Sequence, residues 1–330
     1  MKILFKISGS KLIGFGHIRR SLTLATEIQK KYSKIKIIFF IETKKNFYLQ
    51  KLFKDFKVHW EGKNSSLIEV IKDKDIKIII IDEQKNNFSE IKKIKSSTNI
   101  FLVALDYYFK NTLIDLNINL FNHNSKSTQG NKNLFHNLKF GIIRKTFSSN
   151  NKKINKIKKI IISFGGGDKK NNSLKVLKWL NINIKDKITI YITKKVYDVN
   201  AVNLKLLKNL DISYLKKYSS FDKKINECDM MFCGGGTTLL ESCYCGIPTI
   251  VLPQSKKEEK FAKFFEKKGA IILVSNSIMN NLKLRNFYYN KQIKRSMSKI
   301  QKKIIDGKGV DRIAKLIFEN FKTYEKNRKN

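Results

Sequence analysis

The residues of this 330-residue chain best suited to chemistry lie in three glycine-rich turns, each after a strand-like run and before a helix-like one. The first, Ile13-Gly14-Phe15-Gly16-His17-Ile18-Arg19-Arg20, runs into Ser21-Leu22-Thr23-Leu24-Ala25. Glycines there let a backbone approach a ligand closely, and unpaired N–H groups at a helix start attract anions. His17 falls at the mouth of the helix, beyond the end of the first strand, where open α/β sheets bind ligands. The positive end of the helix dipole favours neutral imidazole, the form a general base requires. A histidine that only caps the helix is an equal alternative from this segment alone.

The second turn is Ser163-Phe164-Gly165-Gly166-Gly167-Asp168. Consecutive glycines form an anion-binding nest or a plain loop. Asp168 is able to accept hydrogen bonds from sugar hydroxyls, although capping the next helix is the commoner use of such a residue. The third turn, Cys233-Gly234-Gly235-Gly236-Thr237-Thr238, opens a helix that Gly246 and Pro248 close. Glu241, near the start of that helix, is placed to hold a ribose diol beside a diphosphate; plain dipole complementarity explains it equally well.

None of the turns continues as Gly-Lys-Ser/Thr, and none is a complete Gly-x-Gly-x-x-Gly with its downstream acid. Asp73-Lys74-Asp75 imitates a metal-binding pair but sits in a lysine-rich stretch before a strand, and reads as a solvated turn. His59, His123 and His136 lack ligand spacing, and the four cysteines (Cys228, Cys233, Cys243, Cys245) lack paired zinc-type units. They read as structural thiols in a reducing compartment, and no metal or cofactor is expected.

Lys and Arg number 68 against 27 Asp and Glu, a formal net charge of +41. The lysines spread along the whole chain without stacking aromatics between them, which argues against a specific nucleic-acid partner. A weak, salt-sensitive attraction to anionic membrane surfaces is compatible with this charge. No apolar run reaches membrane-spanning length, and the N-terminal run turns polar at Ser8, so a cytoplasmic location is expected.

The elements that must position these turns follow a parallel α/β rhythm. Strands are expected at Lys2–Ile7, Lys36–Ile41, Lys77–Ile81, Ile100–Leu105 and Leu116–Asn119, with helices at His17–Tyr32, Leu67–Lys72 and Ser89–Lys95. Near-continuous Ile, Leu and Phe runs mark strands covered on both faces. Asn122–Asn133 reads as a loop and the polar Ser148–Lys158 as a linker. The pattern then restarts with strands at Lys159–Ser163, Ile188–Ile192, Met230–Cys233 and Thr249–Leu252. Helices are expected at Asn172–Leu180, Thr238–Cys245, Glu258–Lys268 and Asp311–Tyr324. Two domains, 1–147 and 159–330, are predicted.

Taken together, Gly14-Phe15-Gly16-His17 with Arg20, Ser163 to Asp168, and Gly234 to Pro248 resemble the PseG-type hydrolases of pseudaminic acid biosynthesis. These are relatives of SpsG proteins and, more remotely, of MurG glycosyltransferases. Ile81-Asp82 and Gly141-Ile142-Ile143-Arg144-Lys145-Thr146-Phe147 fit as well, and the resemblance runs from about residue 2 to about residue 270. It implies a GT-B-like fold, two Rossmann-type domains facing a central cleft, and hydrolysis of a UDP-linked diacetamido-trideoxy sugar to free sugar and UDP. It also implies that His17 activates water, with Gly14, Gly16 and Arg20 around it. Gly165, Gly166, Gly167 and Asp168 would lie near the diphosphate and sugar, Gly235, Gly236 and Thr238 would hold phosphate, and Glu241 would contact ribose. The chain departs from the family with Lys6 and Ser8 in the first strand, and with Lys257-Glu258 where the family carries Asn-Gln, the Asn of which contacts substrate. A glycosyltransferase of the same fold is the alternative.

Overall fold

The structure is a computed structural model that describes residues 1–8, 16–43, 47–60, 67–83, 88–106, 113–120, 134–149, 156–165, 168–193, 209–215, 218–275, 277–278 and 282–328. The chain divides into two compact units: Met1–Ile142 with Lys308–Asn330, and Ile143–Gly307.

The first unit begins β1 (Lys2–Ser8), α1 (Gly16–Lys31), β2 (Lys36–Glu42), α2 (Phe47–Leu52), β3 (Lys57–Trp60) and α3 (Leu67–Asp73). It continues β4 (Ile76–Asp82), α4 (Phe88–Ser97), β5 (Phe101–Leu105), β6 (Leu116–Asn119) and β7 (Leu134–His136). All strands pair in parallel in the order β3-β2-β1-β4-β5-β6-β7. The unbroken apolar runs have the expected cause. Ile3, Phe5 and Ile7 of β1 pack with Ile18, Leu24 and Ile28 of α1, whereas Leu4 faces the other way, among Val70, Ile71, Ile91 and Ile94 of α3 and α4. The strand order reverses between β1 and β4, and that switch point is where a doubly wound sheet opens to a ligand beyond the carboxyl ends of its strands.

The second unit runs β8 (Lys159–Ser163), α5 (Asn172–Asn183), β9 (Ile188–Thr193), β10 (Leu210–Leu215), α6 (Tyr218–Glu227) and β11 (Met230–Cys233). Then come α7 (Thr237–Cys245), β12 (Thr249–Val251), α8 (Lys256–Lys267), β13 (Ile272–Leu273), α9 (Leu282–Tyr289) and α10 (Lys291–Ile304). Its parallel sheet, β10-β9-β8-β11-β12-β13, repeats the winding of the first, with the switch point between β8 and β11. The core gathers Ile160, Ile162, Ile190, Phe232 and Ile250 under Trp179 and Leu180 of α5 and Phe287 of α9. All four cysteines are buried and none forms a disulfide, and burial pushes the Cys233, Cys243 and Cys245 thiols up.

The final helix, α11 (Gly309–Asn327), corrects the expected division at its end. Residues 308–330 do not belong with 159–307. Val310, Ile313, Ala314, Ile317 and Phe321 form an apolar stripe at helical spacing that joins the core of the first sheet beside α1. Gly309 comes so close to this unit that an added Cβ would stand 2.1 Å from the Gly141 carbonyl oxygen. The boundary at 142/143 also precedes the expected linker, of which residues 150–155 lie outside the described residues, as does the expected loop 122–133. Arg144 to Phe147 join the second unit because Arg144 pairs with its carboxylates and Phe147 packs edge-on against Phe221. Among the described residues, no helix is long and apolar enough to cross a membrane.

Candidate active site

In the first unit, the candidate side chains converge where β1 and β4 part. Gly16 begins α1 and His17 follows it; Gly14 lies outside the described residues. Asp82 ends β4, paired with Ile7 across the switch point, and is fully buried. His17 Nδ1 stands 2.6 Å from Asp82 Oδ1. A carboxylate only accepts, so Nδ1 carries the proton and Nε2 is left as the basic nitrogen. The imidazole is partly open, its side chain 18% exposed.

A second group braces the pair. Arg20, three residues along α1 and so on the same side of the helix, donates through Nε to Asp82 Oδ2 at 2.8 Å and through Nη2 to Oδ1. Its Nη1 donates to Asp106, which follows β5 in the left-handed region (φ 59°) and accepts the Leu120 amide at 2.7 Å. The Ser21 hydroxyl donates to Asp82 Oδ2 at 2.7 Å. Burial works to raise the Asp82 carboxyl, but Arg20 and then His17 outweigh it and hold the group well below the usual carboxylate range. Arg20 Nη2 also lies 3.0 Å from His17 Nδ1, so two donors share one acceptor, Asp82. Arg20 is therefore a brace for the pair.

On the opposite face of the same strands, buried Lys6 meets Glu42, Glu83 at 2.6 Å and Glu90 at 2.8 Å. Burial and the charges of Glu42 and Glu90 push the Glu83 carboxyl up to about 7 against the pull of Lys6.

In the second unit, α7 starts directly from the glycine turn, and Gly236 is its N-cap without a side-chain bond. The neighbouring amides are differently employed. Glu258 Oε2 accepts from Gly235 N at 3.0 Å and from Gln254 N at 2.9 Å. Gly235 is glycine for a steric reason: an added Cβ would sit 2.5 Å from the Glu258 carbonyl oxygen. The Gly235 amide is thus committed to α8 and not to a phosphate. Ser255 caps α8 by accepting from Glu258 N at 3.2 Å, and Lys257 is exposed in its first turn. Gln254 bridges to the β8 turn, donating to the Phe164 carbonyl at 2.7 Å and accepting from Lys169 N at 3.1 Å.

Gly165 needs its residue type, with φ +70°; Gly166 and Gly167 lie outside the described residues. Asp168 is buried, and both its oxygens accept backbone amides of α5, Asn172 N at 2.8 Å and Ser173 N at 2.6 Å. Its carboxylate is therefore spent on the helix cap, not presented to a sugar. Glu241 lies on α7 against Arg144, at 3.0 Å from Nη2 and 3.3 Å from Nε.

The sequence reading named His17 but gave no role to Asp82, Asp106 or Arg144. An acid ending a buried strand is the one signal that pointed to Asp82. Asp75 forms an exposed turn in the left-handed region with Lys77 2.9 Å away, and no metal-holding cluster occurs among the described residues.

No family model matches the chain. An uncharacterised protein of Methanocaldococcus jannaschii is 26% identical over 300 residues, which are 86% of this chain and 61% of that protein. The chain thus spans about three-fifths of that relative's length. MurG of Acinetobacter baumannii superposes with a TM-score of 0.70 at 13% identity, over 96% of this chain and 99% of that one. The fold is GT-B-like. A UDP-GlcNAc 2-epimerase from Neisseria meningitidis, solved with UDP-GlcNAc bound, gives 0.64 at 13% identity over 97% and 100%. At such identities the GT-B-like architecture is what these proteins share with this chain.

Proposed function

We propose that this protein is a UDP-sugar hydrolase in which His17 is the general base. The observation that carries the reading is the Asp82–His17 pair, with Nδ1 tied to a buried carboxylate and Nε2 left basic on a partly open ring. In the proposed step, water attacks the anomeric carbon and gives its proton to Nε2. The bond from that carbon to the diphosphate oxygen breaks, and UDP leaves with the electron pair. The amides at Gly236, Thr237 and Thr238 stabilise the departing diphosphate without a metal, because a helix start offers unpaired N–H groups and a positive dipole end. Glu241 receives the ribose, and Lys257 takes the place of the family's sugar-contacting Asn. The sequence resemblance points to a diacetamido-trideoxy sugar as the group on UDP.

The test is UDP release from a panel of UDP-sugars with no acceptor present. A His17→Ala variant should bind UDP normally yet turn over about 10²–10⁴-fold more slowly. Release only on addition of an acceptor would reject hydrolysis. One observation favours that second reading, a glycosyltransferase: Phe47 and Phe88, at the starts of α2 and α4, are 81% and 47% exposed. Exposed aromatic side chains would give a lipid-borne acceptor something to touch.

A further inference from the structure

From Lys267 to Ile305 the chain contains no Asp or Glu, and α10 lies wholly within that stretch. The other lysine-rich helices are different. α8 interleaves Glu258, Glu259 and Glu266 and pairs Lys263 with Glu259 at 3.0 Å, and α11 carries Asp311, Glu319 and Glu325 and pairs Lys315 with Glu319 at 3.7 Å. The inner side of α10 is fixed by buried partners. Gln301 donates to the Ile247 and Ala270 carbonyls at 3.0 and 2.9 Å, and Lys294 donates to the Tyr288 carbonyl. Ser298 donates to the Gly246 carbonyl at 2.6 Å. With that side anchored, the helical period sets the outer one, where Lys291, Arg295, Lys299 and Lys303 follow at intervals of four, all exposed. Each step of four drifts about 40° around the axis and climbs about 6 Å, so the four cations form one row about 18 Å long.

The row does not serve the helix that carries it. Like charges four residues apart repel, and Lys291 sits in the first turn, where the helix dipole disfavours a cation. An anionic partner would offset both costs. At the same end of α10, Tyr289 and Ile293 are 53% and 44% exposed. Cations in a row beside exposed apolar side chains suit a helix that lies along lipid headgroups: the cations meet phosphates and the apolar groups enter the acyl boundary. A nucleic acid would call for stacking aromatics between the cations, where the outer face has Gln292 and Ser296. The lysines on other faces add little to such a contact, because a bilayer is flat and charges more than about 10 Å from it are screened at about 0.1 M salt.

We propose that the outer face of α10 is a docking surface for an anionic phospholipid bilayer, with Lys291, Arg295, Lys299 and Lys303 on headgroup phosphates and Ile293 and Tyr289 at the acyl boundary. The surface belongs entirely to the second unit and does not depend on the UDP-sugar reading.

The experiment is cosedimentation of the full chain with vesicles of phosphatidylglycerol and phosphatidylcholine in equal parts, at about 0.1 M salt. Wild type should bind these vesicles and not vesicles of phosphatidylcholine alone. Each cation at an anionic surface is worth about fivefold, so Lys291→Gln, Arg295→Gln, Lys299→Gln and Lys303→Gln together should weaken binding on the order of 10²–10³-fold. A control variant, with Gln at Lys175, Lys178, Lys322 and Lys326, removes the same charge from exposed positions of α5 and α11 and should change binding less than about threefold. The single variants of the row, each losing about fivefold, carry the same test should the fourfold one fold poorly. Ile293→Ser should weaken vesicle binding and leave binding to a short single-stranded RNA unchanged. Equal losses in the two fourfold variants would show attraction spread over the whole chain and overturn the proposal. So would absence of vesicle binding by wild type, or tighter binding to the RNA than to the vesicles with Ile293→Ser without effect on either.

Discussion

Asp82 does two jobs, and changing it to Asn separates them. An amide can still fill the space and accept from Arg20, but it no longer obliges Nδ1 of His17 to carry the proton. Asp82→Asn should therefore slow turnover by about 10²–10⁴-fold while UDP affinity stays within a few-fold. A rate within threefold of wild type would remove the carboxylate from the mechanism. Glu83, one residue on, gives a pH test. Its folded pKa is raised, so folding takes up a proton and stability falls as pH rises from the ordinary glutamate value, about 4.3, through about 7. Glu83→Gln should flatten that fall and make the protein more stable than wild type at pH 8, as read by thermal melting. Persistence of the slope in the variant would assign it elsewhere. Of this site, His17 was legible because a histidine at a glycine-led helix start is a local pattern. Its partner was not, since Asp82 is 65 residues away and meets it only through the pairing of β1 with β4.

Between elements, the glycines of the second unit serve distinct ends. Gly165 has a left-handed backbone with nothing within 4 Å of an added Cβ, so Gly165→Ala costs strain alone, about 1–2 kcal/mol. Gly235→Ala drives a methyl into the backbone of α8 and should cost at the upper end of the roughly 1–3 kcal/mol range for overpacking, with loss of the Glu258 clasp. Urea melts of the two variants check the ranking, and equal stabilities would contradict it. Several elements fall where the sequence reading put them. Leu116–Asn119 has the bounds expected, and α1 begins and ends one residue early. Three of the unforeseen elements carry little apolar signal. β3 is four residues with every side chain at least partly exposed, so it carries no apolar run to read. The six-residue α2 is equally short, while α10 is polar enough that its face towards the core rests on few apolar residues, with Lys294 and Gln301 buried beside Met297.

For the whole chain, the doubling of one winding pattern was legible from the restart of the strand rhythm near Lys159. The return of α11 was not, because an apolar stripe states that a helix packs but not on which sheet. A chain ended after Asp306 should keep hydrogen-exchange protection in β8 to β12 and lose it in β1, β4 and β5, whose core α11 completes. Protection retained in β1 would show that α11 is dispensable.

That return also fixes an order of events at the ribosome. The second unit is an unbroken stretch of chain inserted into the first, so everything it needs has been synthesised by Gly307. The first unit, though begun earlier, waits for Lys308–Asn330 before its sheet can be fully covered. Newly made chains would thus carry a finished domain downstream of an unfinished one, leaving the apolar ground under α11 as the stretch a chaperone has most reason to shield.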